Sequence, residues 1–212
     1  MNTSIHNIWR CWYLFRKGKR KTKELQSFQY SLEENLLHLH KDLNCGTYKH
    51  GPYCQFTVFD NKRREIVVPP IRDRVVHRMI YEYLVPVFDK TFIYDVWSCR
   101  KNKGLLGAIE RAEFFSNKYK NGFIWRADIK KFFDSVNQNV LLKSIERRVA
   151  DPPALRIIRE VISSYKITKV ENLGKIVGLG ERERSVSSLG FQSAILRVRY
   201  FPIFISTSLT AS

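Results

Sequence analysis

An α+β fold is what this sequence predicts, and three features predict it. Apolar residues recur at helical spacing over most of the chain. One stretch, Gln55 to Pro69, changes to β-prone residues around a polar turn. A second β-branched and aromatic run, Phe123 to Trp125, ends just before a lone carboxylate. At 212 residues and 44% hydrophobic content the chain can bury one core, so one domain with an appended segment is the expectation.

Asn7 to Phe15 predicts a short amphipathic helix with Trp9, Trp12 and Phe15 along one side. The basic run Arg16-Lys17-Gly18-Lys19-Arg20-Lys21 breaks it, as either a solvated loop or a grip on a backbone phosphate. Ser31 followed by Glu34 resembles a capping box. Leu32, Leu36, Leu37, Leu39 and Leu43 then predict a core-packing helix that ends near Asn44-Cys45-Gly46. Phe56-Thr57-Val58-Phe59 and Arg64-Glu65-Ile66-Val67-Val68 flank a basic tip and predict a β-hairpin, closed by Pro69-Pro70. The helix from Ile71 carries an apolar face and a guanidinium-rich one. Pro86 is expected to end it, with Phe88 to Trp97 extended. A basic loop, Ser98 to Gly104, leads into a helix from Leu105 to Tyr119, where Gly104 could present N–H groups to a phosphate. Asn139 to Val149 and Ala154 to Tyr165 predict two more helices. No internal repeat is evident, and beyond Tyr165 no clear period holds.

Lys and Arg outnumber Asp and Glu by 37 to 20, a formal net charge of +17 spread along most of the chain. That balance favours a polyanionic partner, nucleic acid first, because neutralising phosphates releases counterions and supplies affinity without reading sequence. A membrane surface fits less well: no long basic amphipathic helix stands out and no apolar run approaches a spanning length. Four scattered cysteines, Cys11, Cys45, Cys54 and Cys99, and the lack of a secretory signal place the chain in the cytoplasm. Cys45, His50 and Cys54 make a weak zinc alternative, with no second close pair to complete a tetrahedron. His77 reads as a packed or capping residue rather than a catalyst.

The stretch Phe123-Ile124-Trp125-Arg126-Ala127-Asp128-Ile129-Lys130-Lys131-Phe132-Phe133-Asp134 carries the chemistry. Asp128 follows a run composed like a buried strand and precedes two lysines and paired aromatics. A metal-bound carboxylate facing a polyanion fits that setting, and a solvated strand end is the ordinary alternative.

Taken in order, Lys62-Arg63-Arg64-Glu65-Ile66, Pro70-Ile71-Arg72-Asp73-Arg74-Val75-Val76-His77, Pro86-Val87-Phe88-Asp89-Lys90-Thr91-Phe92, Cys99-Arg100-Lys101-Asn102-Lys103-Gly104 and Arg126 to Val136 resemble the first half of a bacterial reverse transcriptase of the retron, group II intron or diversity-generating retroelement type. The resemblance covers roughly residues 5 to 165. It implies the fingers and an incomplete palm of a right-hand polymerase: 1–50 an N-terminal helical segment, 51–122 fingers, 123–188 partial palm. It implies RNA-directed DNA polymerase chemistry, with an RNA template, a primer and deoxynucleoside triphosphates as partners and Mg²⁺ as cofactor. Asp128 matches the first catalytic aspartate, which with the carbonyl of Ile129 holds Mg²⁺, a hard cation that takes oxygen ligands. Phe133 matches the aromatic under the incoming sugar, and Arg64 the fingers arginine on the triphosphate, where a planar guanidinium suits. Arg72, Arg74, Arg100 and Lys103 match basic positions near template and nucleotide.

The sequence also departs from that family. A working enzyme needs an aromatic-X-Asp-Asp hairpin preceded by a segment like GIPxGNLTSQ. No Asp-Asp pair occurs here, and neither does that segment. Codons can be chosen for Gly190 to Phe201 so that the frame one nucleotide back reads GIPIGNLTSQIF, and for Pro202 to Ser212 so that it continues as SNIYLNEFDRF. Residues 189–212 are therefore expected to be an out-of-frame tail of a broken reverse transcriptase gene. The expected product is catalytically inactive, with a non-catalytic RNA- or DNA-binding module as the alternative.

Overall fold

The computed structural model describes residues 1–19, 21–59, 63–125, 127 and 136–165. Among them the chain is α+β, with seven helices and one two-stranded antiparallel sheet: α1 (Ile5–Arg16), α2 (Lys23–Tyr30), α3 (Leu32–Cys45), β1 (Cys54–Phe59), β2 (Arg63–Val68), α4 (Ile71–Asp89), α5 (Leu105–Lys118), α6 (Gln138–Glu146) and α7 (Pro152–Ser164). None of these helices is long and apolar enough to cross a membrane.

The core is helical and follows the apolar spacing of the sequence. From α1, Ile8, Cys11, Trp12 and Phe15 are buried; from α3, Leu36, Leu39 and Leu43; from α4, Val75, Val76, Met79, Ile80 and Leu84. Each set recurs every three or four residues, which puts it on one side of its helix. Helix α1 packs on α4 and α3, and α7 packs on α6 and α4 through Ile157, Ile158, Val161 and Ile162. Burial of side chains this size stabilises the fold by roughly 1.5–3 kcal/mol each before the entropy of ordering them is counted.

Helix ends follow local chemistry. Ser4, Thr22, Asn137 and Asp151 each accept a hydrogen bond from a first-turn N–H of α1, α2, α6 and α7. Gly46 closes α3 at φ +75°, a left-handed conformation that glycine adopts without strain. Pro152 and Pro153 open α7 at N1 and N2, where a missing N–H costs nothing.

Several expectations are corrected: Trp9 of α1 is exposed and does not share the buried side with Trp12 and Phe15. Helix α2 was not foreseen. Ser31 sits between α2 and α3 at φ −111°, ψ 43° and makes no side-chain cap, so the capping box does not form. Pro86 lies inside α4, which runs on to Asp89: Leu84 and Phe88 on either side are buried, and that burial holds the helix across the lost hydrogen bond. The segment after Asp89 is a series of turns rather than extended chain, with Thr91 N–H donating to Phe88 O, Phe92 N–H to Asp89 O and Val96 N–H to Ile93 O. The run expected to be a buried strand is also different: Phe123, Ile124 and Trp125 are exposed and form no strand. A β-prone run becomes a strand only where a partner strand pairs with it, and the one sheet among the described residues is the β1–β2 hairpin.

Candidate nucleotide and nucleic-acid interface

The hairpin pairs Val58 with Arg64 and Phe59 with Arg63, so the register of the two strands fixes where Arg64 enters β2. Strand β2 ends at Val68, and after Pro69-Pro70 the chain turns directly into α4, whose first turn carries Arg72, Asp73 and Arg74. Three of the basic positions singled out from the sequence are thus joined by one continuous strand–helix unit. The side chain of Arg64 lies outside the described residues, as do Asp128, Ile129 and Phe133 entirely.

Arg72 and Arg74 spend their donors within the fold. Arg72 reaches the Asp42 carboxylate at the end of α3 and the carbonyl of Lys49, with its guanidinium 5.3 Å from the centre of the Tyr48 ring. Arg74, whose side chain is 10% exposed, donates from Nε to Pro69 O at 2.8 Å and from Nη2 to Glu24 at 2.6 Å. Arg74 therefore ties α2 to the turn between the hairpin and α4.

Between these two arginines, Asp73 points inward and is 1% exposed. The Tyr48 hydroxyl donates to its Oδ1 at 2.7 Å and the Gly51 N–H to its Oδ2 at 2.9 Å. Burial, and then the Asp73 carboxylate, push the Tyr48 hydroxyl far above its ordinary range. Beside it the His50 and His77 rings stack, with their Nε2 atoms 3.2 Å apart, and His50 also stacks on Tyr53. The His50 N–H donates to Glu160 of α7 at 3.1 Å. Burial, the neighbouring His50 and the Arg74 guanidinium draw His77 down to about 3, so the ring stays neutral, as a packed histidine should. This network clamps residues 47–53 between α4 and α7 and sets the base of the hairpin. Cys45 and Cys54 are exposed, His50 is taken up by His77 and Tyr53, and no three His, Cys, Asp or Glu side chains gather around a metal position among the described residues. The zinc alternative has no geometry behind it.

Arg100 and Lys103 lie at the other end of α4. Arg100 donates to both oxygens of Asp89, at 2.7 and 3.3 Å, and to the carbonyls of Ile93 and Val96, which closes the turns after α4 around one guanidinium. That pairing holds the Asp89 carboxyl below its usual range. Lys103 reaches the Tyr94 carbonyl and lies 3.7 Å from the Tyr94 ring centre and 4.4 Å from that of Trp97. Arg111 of α5 pairs with Asp95 at 2.8 Å and stacks near Phe115. At 1.5 Å per residue, Arg72 and Asp89 are roughly 25 Å apart along α4. The four basic candidates form two groups at opposite ends of one helix, not one cluster.

A stretch of 134 residues, 60% of the chain, is 26% identical to the Putative COX1/OXI3 intron 1 protein of Saccharomyces cerevisiae and covers 16% of it. A stretch of 111 residues, 51% of the chain, is 22% identical to Protein YkfC of Escherichia coli strain K12 and covers 29% of it. No family model matches the chain. The similarity to the yeast protein is a weak link to a protein named for an intron, and the chain spans less than a third of the length of either relative.

Sequence reasoning missed the Asp73–Tyr48–Gly51 and His50–His77 contacts. The one available signal was an acid flanked by two arginines in the first turn of an amphipathic helix. Its donors come from a loop more than twenty residues earlier, and no local pattern connects the two.

Proposed function

We propose that the chain is the fingers and part of the palm of an RNA-directed DNA polymerase of the bacterial reverse transcriptase type, and that this stretch alone does not polymerise. The observation that carries the reading is the order of five motifs, from Lys62 through Val136, on a chain that is also similar to an intron protein over 134 residues. The continuous path from the paired strand of Arg64 into the arginine-bearing first turn of α4 is compatible with it.

In this reading Arg64 binds the triphosphate, Phe133 packs under the sugar, and Asp128 with the carbonyl of Ile129 holds Mg²⁺. Bound Mg²⁺ would polarise the primer hydroxyl and offset charge on the leaving pyrophosphate. Arg72, Arg74 and Arg100 position rather than bind: Arg74 holds the hairpin's exit against α2, and Arg100 closes the turns after α4. The sequence contains no Asp-Asp pair to add to Asp128, and one carboxylate cannot set two metals in line. The net charge of +17 favours the second reading, a module that holds RNA or primer-template without catalysis.

Primer extension on poly(rA) primed with oligo(dT), with Mg²⁺, separates them. The expected result is salt-sensitive binding of primer-template with no extension. Extension that Asp128→Ala abolishes would overturn the inactivity, and failure to bind primer-template at all would overturn both readings.

A further inference from the structure

The solvent side of α1 is built unlike that of an ordinary amphipathic helix. At 3.6 residues per turn, His6, Trp9, Arg10, Tyr13, Arg16 and the following Lys17 fall within a sector of about 120°. Ile8, Cys11, Trp12 and Phe15 occupy the opposite side and are buried in the core. Packing therefore accounts for the second set and only in part for the first. Trp9 is 38% exposed and Tyr13 66%, while the Arg10 side chain is 58% exposed. No acidic residue precedes Glu24, so the helix and the loop after it carry cations alone: Arg10, Arg16, Lys17, Lys19, Arg20, Lys21 and Lys23. Among the described residues, Glu82 of α4 reaches this side, and it is already shared between Arg10, at 3.5 Å, and Arg78.

From this we infer that the solvent side of α1 binds an unpaired nucleic-acid strand, with the Tyr13 and Trp9 rings stacking on bases and Arg10 and Lys17 on the phosphates. Rings interleaved with cations on a rigid element are the two parts such a surface needs: π-faces that any base can stack on, and charge that follows the backbone. Bases within a duplex do not offer their faces, which selects the single strand. An anionic membrane would also attract the cations, but an interfacial helix inserts its apolar side, and that side of α1 is already spent on α3 and α4. None of the residues named here belongs to the five polymerase motifs.

The test is fluorescence anisotropy of a labelled 20-nucleotide oligouridine RNA with the full chain, across a salt series. Tyr13→Ser and Trp9→Ser should each weaken binding about fivefold or more, while Tyr13→Phe, which keeps the ring, should bind as the parent does. Arg10→Gln with Lys17→Gln should flatten the log–log salt slope by about 1.4, the single-strand value for two phosphates. Far-UV circular dichroism and melting confirm that each variant is folded. Three results would overturn the assignment: parent-like affinity in both ring-to-serine variants, an equal loss on a 20-base-pair RNA duplex, or a loss seen instead on phosphatidylserine vesicles.

Discussion

A carboxylate closed off from water persists only where donors reach it, and Asp73 has two, the Tyr48 hydroxyl and the Gly51 N–H. Asp73→Ala leaves both donors buried and unmet, so a loss of about 3 kcal/mol in chemical denaturation is expected, and Tyr48→Phe should cost about half of that. His77 makes a pH-dependent contribution of known sign. It is held at about 3 in the fold, whereas an exposed imidazole titrates near 6.5, so below pH 6.5 the unfolded chain takes up a proton that the folded chain refuses. The stability due to this ring is complete above pH 6.5 and falls as pH drops toward 3, by at most about 1.4 kcal/mol per unit. Urea midpoints measured between pH 7 and 4 should fall more steeply in the parent than in His77→Gln; parallel slopes would refute the assignment. At Gly46, φ is +75° and an added Cβ would come within 2.4 Å of the Arg156 guanidinium. Gly46→Ala should therefore cost about 1 kcal/mol, mostly from the left-handed backbone, because the long Arg156 side chain can swing away.

At the scale of elements, caps and clamps matter more than propensity. Asp151 accepts from the Ala154 N–H to start α7 and also pairs with the amine of Met1. Asp151→Ala should lower the melting temperature by several degrees, the consequence of about 1–2 kcal/mol lost at a helix start that anchors Ile157 and Ile158 in the core. The turns between α4 and α5 depend on Arg100 in a different way. Its partner Asp89 is 42% exposed, so the pair adds little to global stability, but the same guanidinium also fixes the carbonyls of Ile93 and Val96. Arg100→Gln should speed amide hydrogen exchange across residues 91–104 while leaving exchange in α1 and α3 unchanged. Pro86 shows why helix ends are hard to place from sequence. Proline signals a stop, yet buried neighbours carried α4 through it.

For the whole molecule, the apolar surface is unevenly spent. Helices α1, α3, α4 and α7 bury theirs, whereas α5 buries no residue, and Leu105, Leu106 and Ile109 stand exposed along with Phe123, Ile124 and Trp125. Exposed large apolar side chains in this number favour association. Sedimentation should show self-association that rises with concentration, and Ile124→Ser with Leu106→Gln should reduce it; a parent chain that stays monomeric at high concentration would contradict this.

Much of the architecture was legible in the sequence because it depends on neighbours along the chain. Helical period placed α1, α3, α4, α5, α6 and α7 to within a few residues, the alternation around Asp60-Asn61 placed the hairpin, and Gly46 marked the end of α3. The site expected at Arg64, Asp128, Ile129 and Phe133 rests on residue types in order alone, because the side chain of Arg64 and the other three residues lie outside the described residues. Tertiary structure alone decided what the other basic residues do. Arg72, Arg74 and Arg100 find Asp42, Glu24 and Asp89, and Lys103 finds the Tyr94 carbonyl and ring, through pairings that separate elements make on packing. A guanidinium's charge is written in the sequence, but the partner that uses it is chosen by the packing of helices, which no local pattern encodes.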